Sequence, residues 1–238
     1  IVLDVKAGSG AFMKSLDRAR ELARVMVELG KSLNKKTVAV ITDMSQPLGH
    51  EVGNASEVRE AAEFLQGRGA RDLTAVALTL AAHMTVLGGA YNDLPTASRE
   101  LTRLIDSGSA FQYFKKLVKI QGGDPEVLDN PGRLPRAKYH VAVEAPAGGY
   151  VTAINAEAVG MASMLLGAGR KRIDEPVDYS AGVTVVKKIG DRVKEGETIC
   201  IMHTNLAEHQ EAGAALQNAY TFSDIEPAPL TYVHEVIQ

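Results

Sequence analysis

The chain has 238 residues, enough for one large domain or two smaller ones with a substantial core. Its 45% hydrophobic and 23% charged residues are the composition of an ordinary globular protein, and a formal net charge of −3 without a long Lys/Arg run excludes a surface built to neutralise nucleic-acid phosphates. Aromatics are only 5% with no Trp, so no stacking platform for single strands is evident. No stretch approaches the ~20 apolar residues that a membrane span requires, and no signal-peptide pattern occurs, so no membrane partner is expected.

The chain opens on Ile1–Val5, a short apolar run without an initiator Met that reads as a buried strand. A domain rarely begins inside its own sheet, so the expectation is that further sequence lies upstream. Gly8-Ser9-Gly10 follows as a turn, and Phe12, Leu16, Ala19, Ala23 and Val27 keep the spacing of one helical face over residues 11–29, with Gly30 as the stop. Thr37–Thr42 is a second β-branched run. Strand, helix and strand at this spacing predict a βαβ crossover and a parallel sheet.

Residues 43–53 form an irregular stretch containing Pro47, Gly49 and Gly53. Asn54, with Glu57 three residues on, reads as a capped helix start. Helical patterns cover residues 55–66, 72–87, 97–106 and 110–120. Asp, Asn, Gly and three prolines (Pro125, Pro131, Pro135) then cluster over residues 124–136 and mark a boundary. Beyond it, residues 139–143, 150–154, 182–189 and 198–203 read as strands, and 156–166 as a helix. The expected fold class is α/β: a parallel-sheet βαβ unit over residues 1–130, followed by a small α+β unit over 131–238.

Few local patterns carry chemistry by themselves. Gly8-Ser9-Gly10 between a strand and a helix is either an anion-holding loop or a plain tight turn, and Met13 breaks the G-x-G-x-x-G pattern. Six histidines occur, none paired at i,i+4 and none beside a cysteine, which argues against zinc; His83, among Leu80, Met84 and Leu87, reads as a core or boundary residue. The one cysteine, Cys200 between Ile199 and Ile201, reads as a small buried hydrophobe in a strand. No G-x-S-x-G elbow or other activated nucleophile is present. The 43–60 segment combines loop carbonyls with Glu51, Glu57 and Glu60, ligands that suit a hard cation, although acids beside Arg59 on a helix also suit a solvated face. Gly190–Ile199 is similar to the G-D-x-V-x-x-G-E hairpin of barrel-sandwich carrier domains, but lacks their modifiable lysine tip.

Several longer blocks, taken in order, carry a resemblance: LDVKAGSGAFMKSLDRARELARVMVELGK, TDMSQPLGHEVGNASEVREA, QGGDP, AVGMASMLLGAGR and GVTVVKKIGDRVKEGE. Together they resemble the pyrimidine-nucleoside phosphorylases, relatives of thymidine phosphorylase, and the QPLG loop is more similar to the broad-specificity bacterial enzymes. The resemblance implies a hammerhead-like C-terminal domain and a cytoplasmic, homodimeric parent enzyme that closes a helical lobe over its active site. The implied reaction displaces the base of uridine, thymidine or deoxyuridine with phosphate, the co-substrate, giving free base and a pentose 1-phosphate. An oxocarbenium-like transition state then calls for phosphate donors and for stabilisation of the departing base.

The family supplies those donors from K-x-S-T-G and S-I-x-S-K-K motifs, and neither occurs in these 238 residues. The resemblance therefore assigns no catalytic residue to this chain. It implies that Phe12 forms a wall of the pyrimidine pocket. It also implies a cation site, for potassium or another cation, with backbone carbonyls from Leu48 and Glu51 and a carboxylate from Glu60; relatives carry Ala at the position of Glu51. Two other readings stand beside it: a non-catalytic binding module derived from a pentosyltransferase, and a member of the anthranilate phosphoribosyltransferase group, which lacks the hammerhead.

Overall fold

The computed structural model describes residues 1–170 and 172–238. β1 (Val2–Ala7) is followed by α1 (Leu16–Ser32) and β2 (Val38–Asp43), and the two strands pair in parallel from Val2 opposite Val38 to Ala7 opposite Asp43. This is the expected βαβ crossover. α1 begins at Leu16 rather than Ala11, because Ser15 is its N-cap and accepts a hydrogen bond from Arg18 N at 3.4 Å. Phe12 satisfies the helical spacing but belongs to the turn before the helix.

The inner face of α1 carries Ala19, Ala23 and Val27, which pack with Val5, Ala7, Ala39 and Ile41 of the two strands. Small residues at 19 and 23 let the helix lie close to the sheet. The exclusion of Val27 and Ile41 from water contributes about 1.5–3 kcal/mol each.

A three-residue strand, β3 (Glu51–Gly53), leads into α2 (Ala55–Phe64). α3 (Arg71–Leu87), α4 (Leu94–Asp106), α5 (Ser109–Ile120) and the short α6 (Glu126–Asp129) follow. α4 starts three residues before the apolar pattern, because Asp93 caps Thr96 N at 2.7 Å and Pro95 fits the first turn. Asn54 does not cap α2 as expected: it makes no side-chain cap bond, and its amide instead donates to Ala168 O at 2.8 Å.

The remaining elements are β4 (Tyr139–Glu144), β5 (Gly149–Ile154), α7 (Ala156–Ser163), β6 (Gly182–Val185), β7 (Arg192–Val193), β8 (Thr198–Thr204), α8 (Gln210–Asn218), β9 (Tyr220–Ser223) and β10 (Val233–Ile237). They build two antiparallel sheets, ordered β3-β6-β8-β4 and β7-β5-β9. α7 and α8 cover them around a core of Val151, Ile154, Val159, Val183, Ile199 and Leu216. Cys200 is fully buried in this core, as its neighbours suggested.

The two ends of the chain interlock. β3, from the first half, pairs with β6 (Glu51 opposite Thr184), while β10 returns antiparallel onto β2 (Ile237 opposite Ala39). Among the described residues no helix is long and apolar enough to cross a membrane.

Candidate functional site

The loop between β2 and β3 lies where the two halves meet. Its backbone is held by a buried cation: Lys188 Nζ donates to Pro47 O and Gly49 O, each at 2.5 Å, and pairs with Asp72 Oδ2 of α3 at 2.8 Å. Gln46 Oε1 accepts from Ile189 N at 2.9 Å, so two consecutive residues before the Gly190 turn grip the same loop. The sequence showed a Lys187-Lys188 pair there but offered no signal for its partners.

Glu60, one turn into α2, closes the loop from the other side. Its carboxylate accepts from His50 N at 2.6 Å and from Glu51 N at 3.3 Å. Burial raises its pKa, a shift opposed by those two backbone donors. Gly49 has φ 71°, and a Cβ there would meet Glu60 Oε2 at 2.4 Å, so the close approach of loop and carboxylate requires glycine. Glu57, also raised by burial, accepts from Gly53 N at 3.0 Å.

A cavity of about 410 Å³ opens on this loop, and Leu48, Glu51 and Glu60 all line it, with Glu57 and Phe64. The Glu51 side chain turns elsewhere: its Oε2 accepts from Thr184 Oγ1 at 2.9 Å and its Oε1 lies 3.6 Å from Arg59 Nη2. Only its backbone is left to serve the cavity. Among the described residues no three His, Cys, Asp or Glu side chains cluster as a metal set, so an ion here would rest on loop carbonyls and the Glu60 carboxylate. That all-oxygen donor chemistry fits a hard alkali or alkaline-earth cation.

Phe12 stands apart from this cavity. It is 93% exposed on the turn between β1 and α1. The glycine turn before it is a structural device. Gly8 N donates to Met13 O, Gly10 N to Met44 O and Ala11 N to Gly8 O, which leaves little of an anion-holding nest. Ser9 Oγ lies 3.1 Å from both Ser45 O and Ile154 O and accepts from Ala156 N at 3.2 Å, tying the turn to the start of α7. His83 is buried at 5% exposure, as a core histidine.

A family model for the pyrimidine nucleoside phosphorylase C-terminal domain matches residues 150–223, and one for the a/b domain of a glycosyl transferase family matches residues 1–111. The chain is 44% identical over 237 residues to a pyrimidine-nucleoside phosphorylase of Staphylococcus aureus strain bovine RF122 / ET3-1. It is likewise 44% identical to those of strains USA300 and NCTC 8325.

The chain belongs to the pyrimidine-nucleoside phosphorylase family. The alignment takes in 100% of this chain and 54% of the relative, so the chain spans about half the length of the curated relatives it matches. For this phosphorylase-family chain, the mixed fold agrees with the two matched models in order: the βαβ unit and helices α2 to α4 fall in the first, and β5 to β9 in the second.

Proposed function

We propose that the chain is the part of a pyrimidine-nucleoside phosphorylase that carries the cation loop and one wall of the base pocket. The observation that supports this most directly is identity of 44% sustained along 237 residues with enzymes of that name. The reaction is attack of phosphate on C1′ of uridine, thymidine or deoxyuridine, with cleavage of the glycosidic C–N bond. The base leaves with the electron pair, and a pentose 1-phosphate forms.

In this reading the Leu48 and Glu51 carbonyls and the Glu60 carboxylate would hold a potassium or similar cation, which would supply positive charge when bound. Lys188 and Asp72 keep the loop in shape whether or not an ion is bound. Phe12, with an apolar ring 93% exposed, is free to become the face against which the base packs. The parent enzyme is a cytoplasmic homodimer. These 238 residues contain neither K-x-S-T-G nor S-I-x-S-K-K, so the chain alone turns over no nucleoside.

The test is release of uracil or thymine by the chain alone and after mixing with the amino-terminal half of the Staphylococcus aureus relative. Silence alone and phosphate-dependent release on mixing support the proposal. Release by the chain alone, or silence of a folded mixture, contradicts it. A folded chain that stays inactive with every such complement favours the binding-module reading.

A further inference from the structure

A second cavity, of about 230 Å³, lies where the start of α2 faces residues 134–137 and the edge of the β4–β8 pair. Its chemistry is one-sided. Arg59, Arg136, His140, His203, Ser56 and Ser180 line it, and no carboxylate is among its lining residues. Arg136 is exposed and makes no hydrogen bond or ion pair among the described residues. The partner of Arg59, Glu51, stays at 3.6 Å, beyond hydrogen-bond reach. Ser56 Oγ is buried without a partner, and α2 begins there with no side chain capping its N–H groups.

The two histidines form a hydrogen-bonded chain along one wall of the cavity. Thr184 Oγ1 gives its proton to Glu51 Oε2, so it accepts from His203 Nε2 at 2.8 Å. His203 Nδ1 is then an acceptor and takes the Nδ1 proton of His140 at 2.7 Å. This order leaves His140 Nε2 as the free end of the chain. Two acids lie behind lining residues without lining the cavity themselves: Glu51 pairs with Arg59 at 3.6 Å, and Asp178 accepts from Ser180 Oγ and Asn205.

We propose that this cavity binds a small dianion of the phosphate class, either inorganic phosphate or the phosphate group of a small monoester. Paired guanidinium groups suit phosphate oxygens. The unpartnered Ser56 hydroxyl and the Ser56 and Glu57 N–H groups supply neutral donors to the same anion, Ala55 N being taken by Tyr179 O at 3.0 Å. The inference rests on the geometry of this cavity and does not depend on the nucleoside reaction.

Calorimetric titration of the 238-residue chain at low ionic strength tests it, with inorganic phosphate in one arm, glycerol 3-phosphate in another and chloride at matched ionic strength as control. Saturable binding is expected, about tenfold or more weaker in Arg136→Met and Arg59→Met, since each loses a charged hydrogen bond. Arg136→Lys should recover part of it. Arg136 is solvent-exposed, so its variants keep the fold, which circular dichroism checks. Tighter binding of the ester assigns the cavity to monoesters, and equal or tighter binding of phosphate assigns it to the free ion. No saturable binding in either arm, or binding unchanged in both methionine variants, overturns the proposal.

Discussion

Lys188 Nζ and Asp72 Oδ2 meet at 2.8 Å with side-chain exposures of only 14% and 7%, joining the turn before Gly190 to helix α3 across the junction of the two halves. A pair this buried costs much to form and more to break from one side. Asp72→Ala strands the ammonium with two carbonyls and no counter-charge, and should destabilise the chain by about 3–5 kcal/mol. Lys188→Met should cost a similar amount, and the double variant Asp72→Ala/Lys188→Met clearly less than the sum. Urea unfolding of the four proteins measures this, and additive losses would show that the pair is not coupled.

The turn at Gly8 is tested by a single methyl group. Gly8 has φ 136°, and a Cβ there would sit 2.5 Å from Met44 C and Ser45 N. Gly8→Ala must therefore shift the loop backbone, at a cost of about 1–3 kcal/mol for the strained dihedral alone. A thermal melt indistinguishable from the parent protein would contradict this packing.

Burial pushes the Cys200 thiol up to about 11, although Tyr220 OH lies 3.2 Å from its sulfur. At pH 8 the folded protein should therefore react with a thiol-specific disulfide reagent far more slowly than the urea-unfolded chain. Equal rates would place the cysteine at the surface.

His203 gives a pH signature. Burial first, then the nearby His140 and Arg59 charges, lower it from its ordinary 6.5 to about 4. Between those values the unfolded chain holds the proton and the native state does not. Stability therefore rises with pH across that window: the contribution is complete above 6.5 and is lost as pH falls toward 4. Glu57 and Glu60, both raised by burial, act in the opposite sense. They are common to the parent and His203→Gln, so the difference between their stability curves isolates the histidine. That difference should change between pH 4 and 6.5 and be flat above it; a difference flat throughout would refute the burial of the ring.

Much of the architecture was legible because the elements are long enough to repeat their pattern. α3 and α5 start one residue from where their apolar spacing places them, and β1 and β2 pair as a βαβ unit must. The short elements were not. β3 has three residues and β7 two, too few to show an alternation, and they exist because a neighbouring strand pairs with them. Phe12 misled the start of α1, since helical spacing cannot tell a core position from an exposed apolar side chain in the preceding turn. Leu48, Glu51 and Glu60 were named through family resemblance and share one cavity. The Arg136, His140 and His203 cluster had no sequence signal, because the pairing of His140 opposite His203 brings together residues 63 positions apart.

The proposed attack of phosphate at C1′ is read from its product. The chain, combined with the amino-terminal half of its Staphylococcus aureus relative, is incubated with uridine and inorganic phosphate and followed by phosphorus NMR. A new pentose 1-phosphate signal should grow in step with free uracil and be absent without phosphate. Uracil release accompanied by free ribose, or continuing without phosphate, would mean hydrolysis and rule out phosphate as the nucleophile.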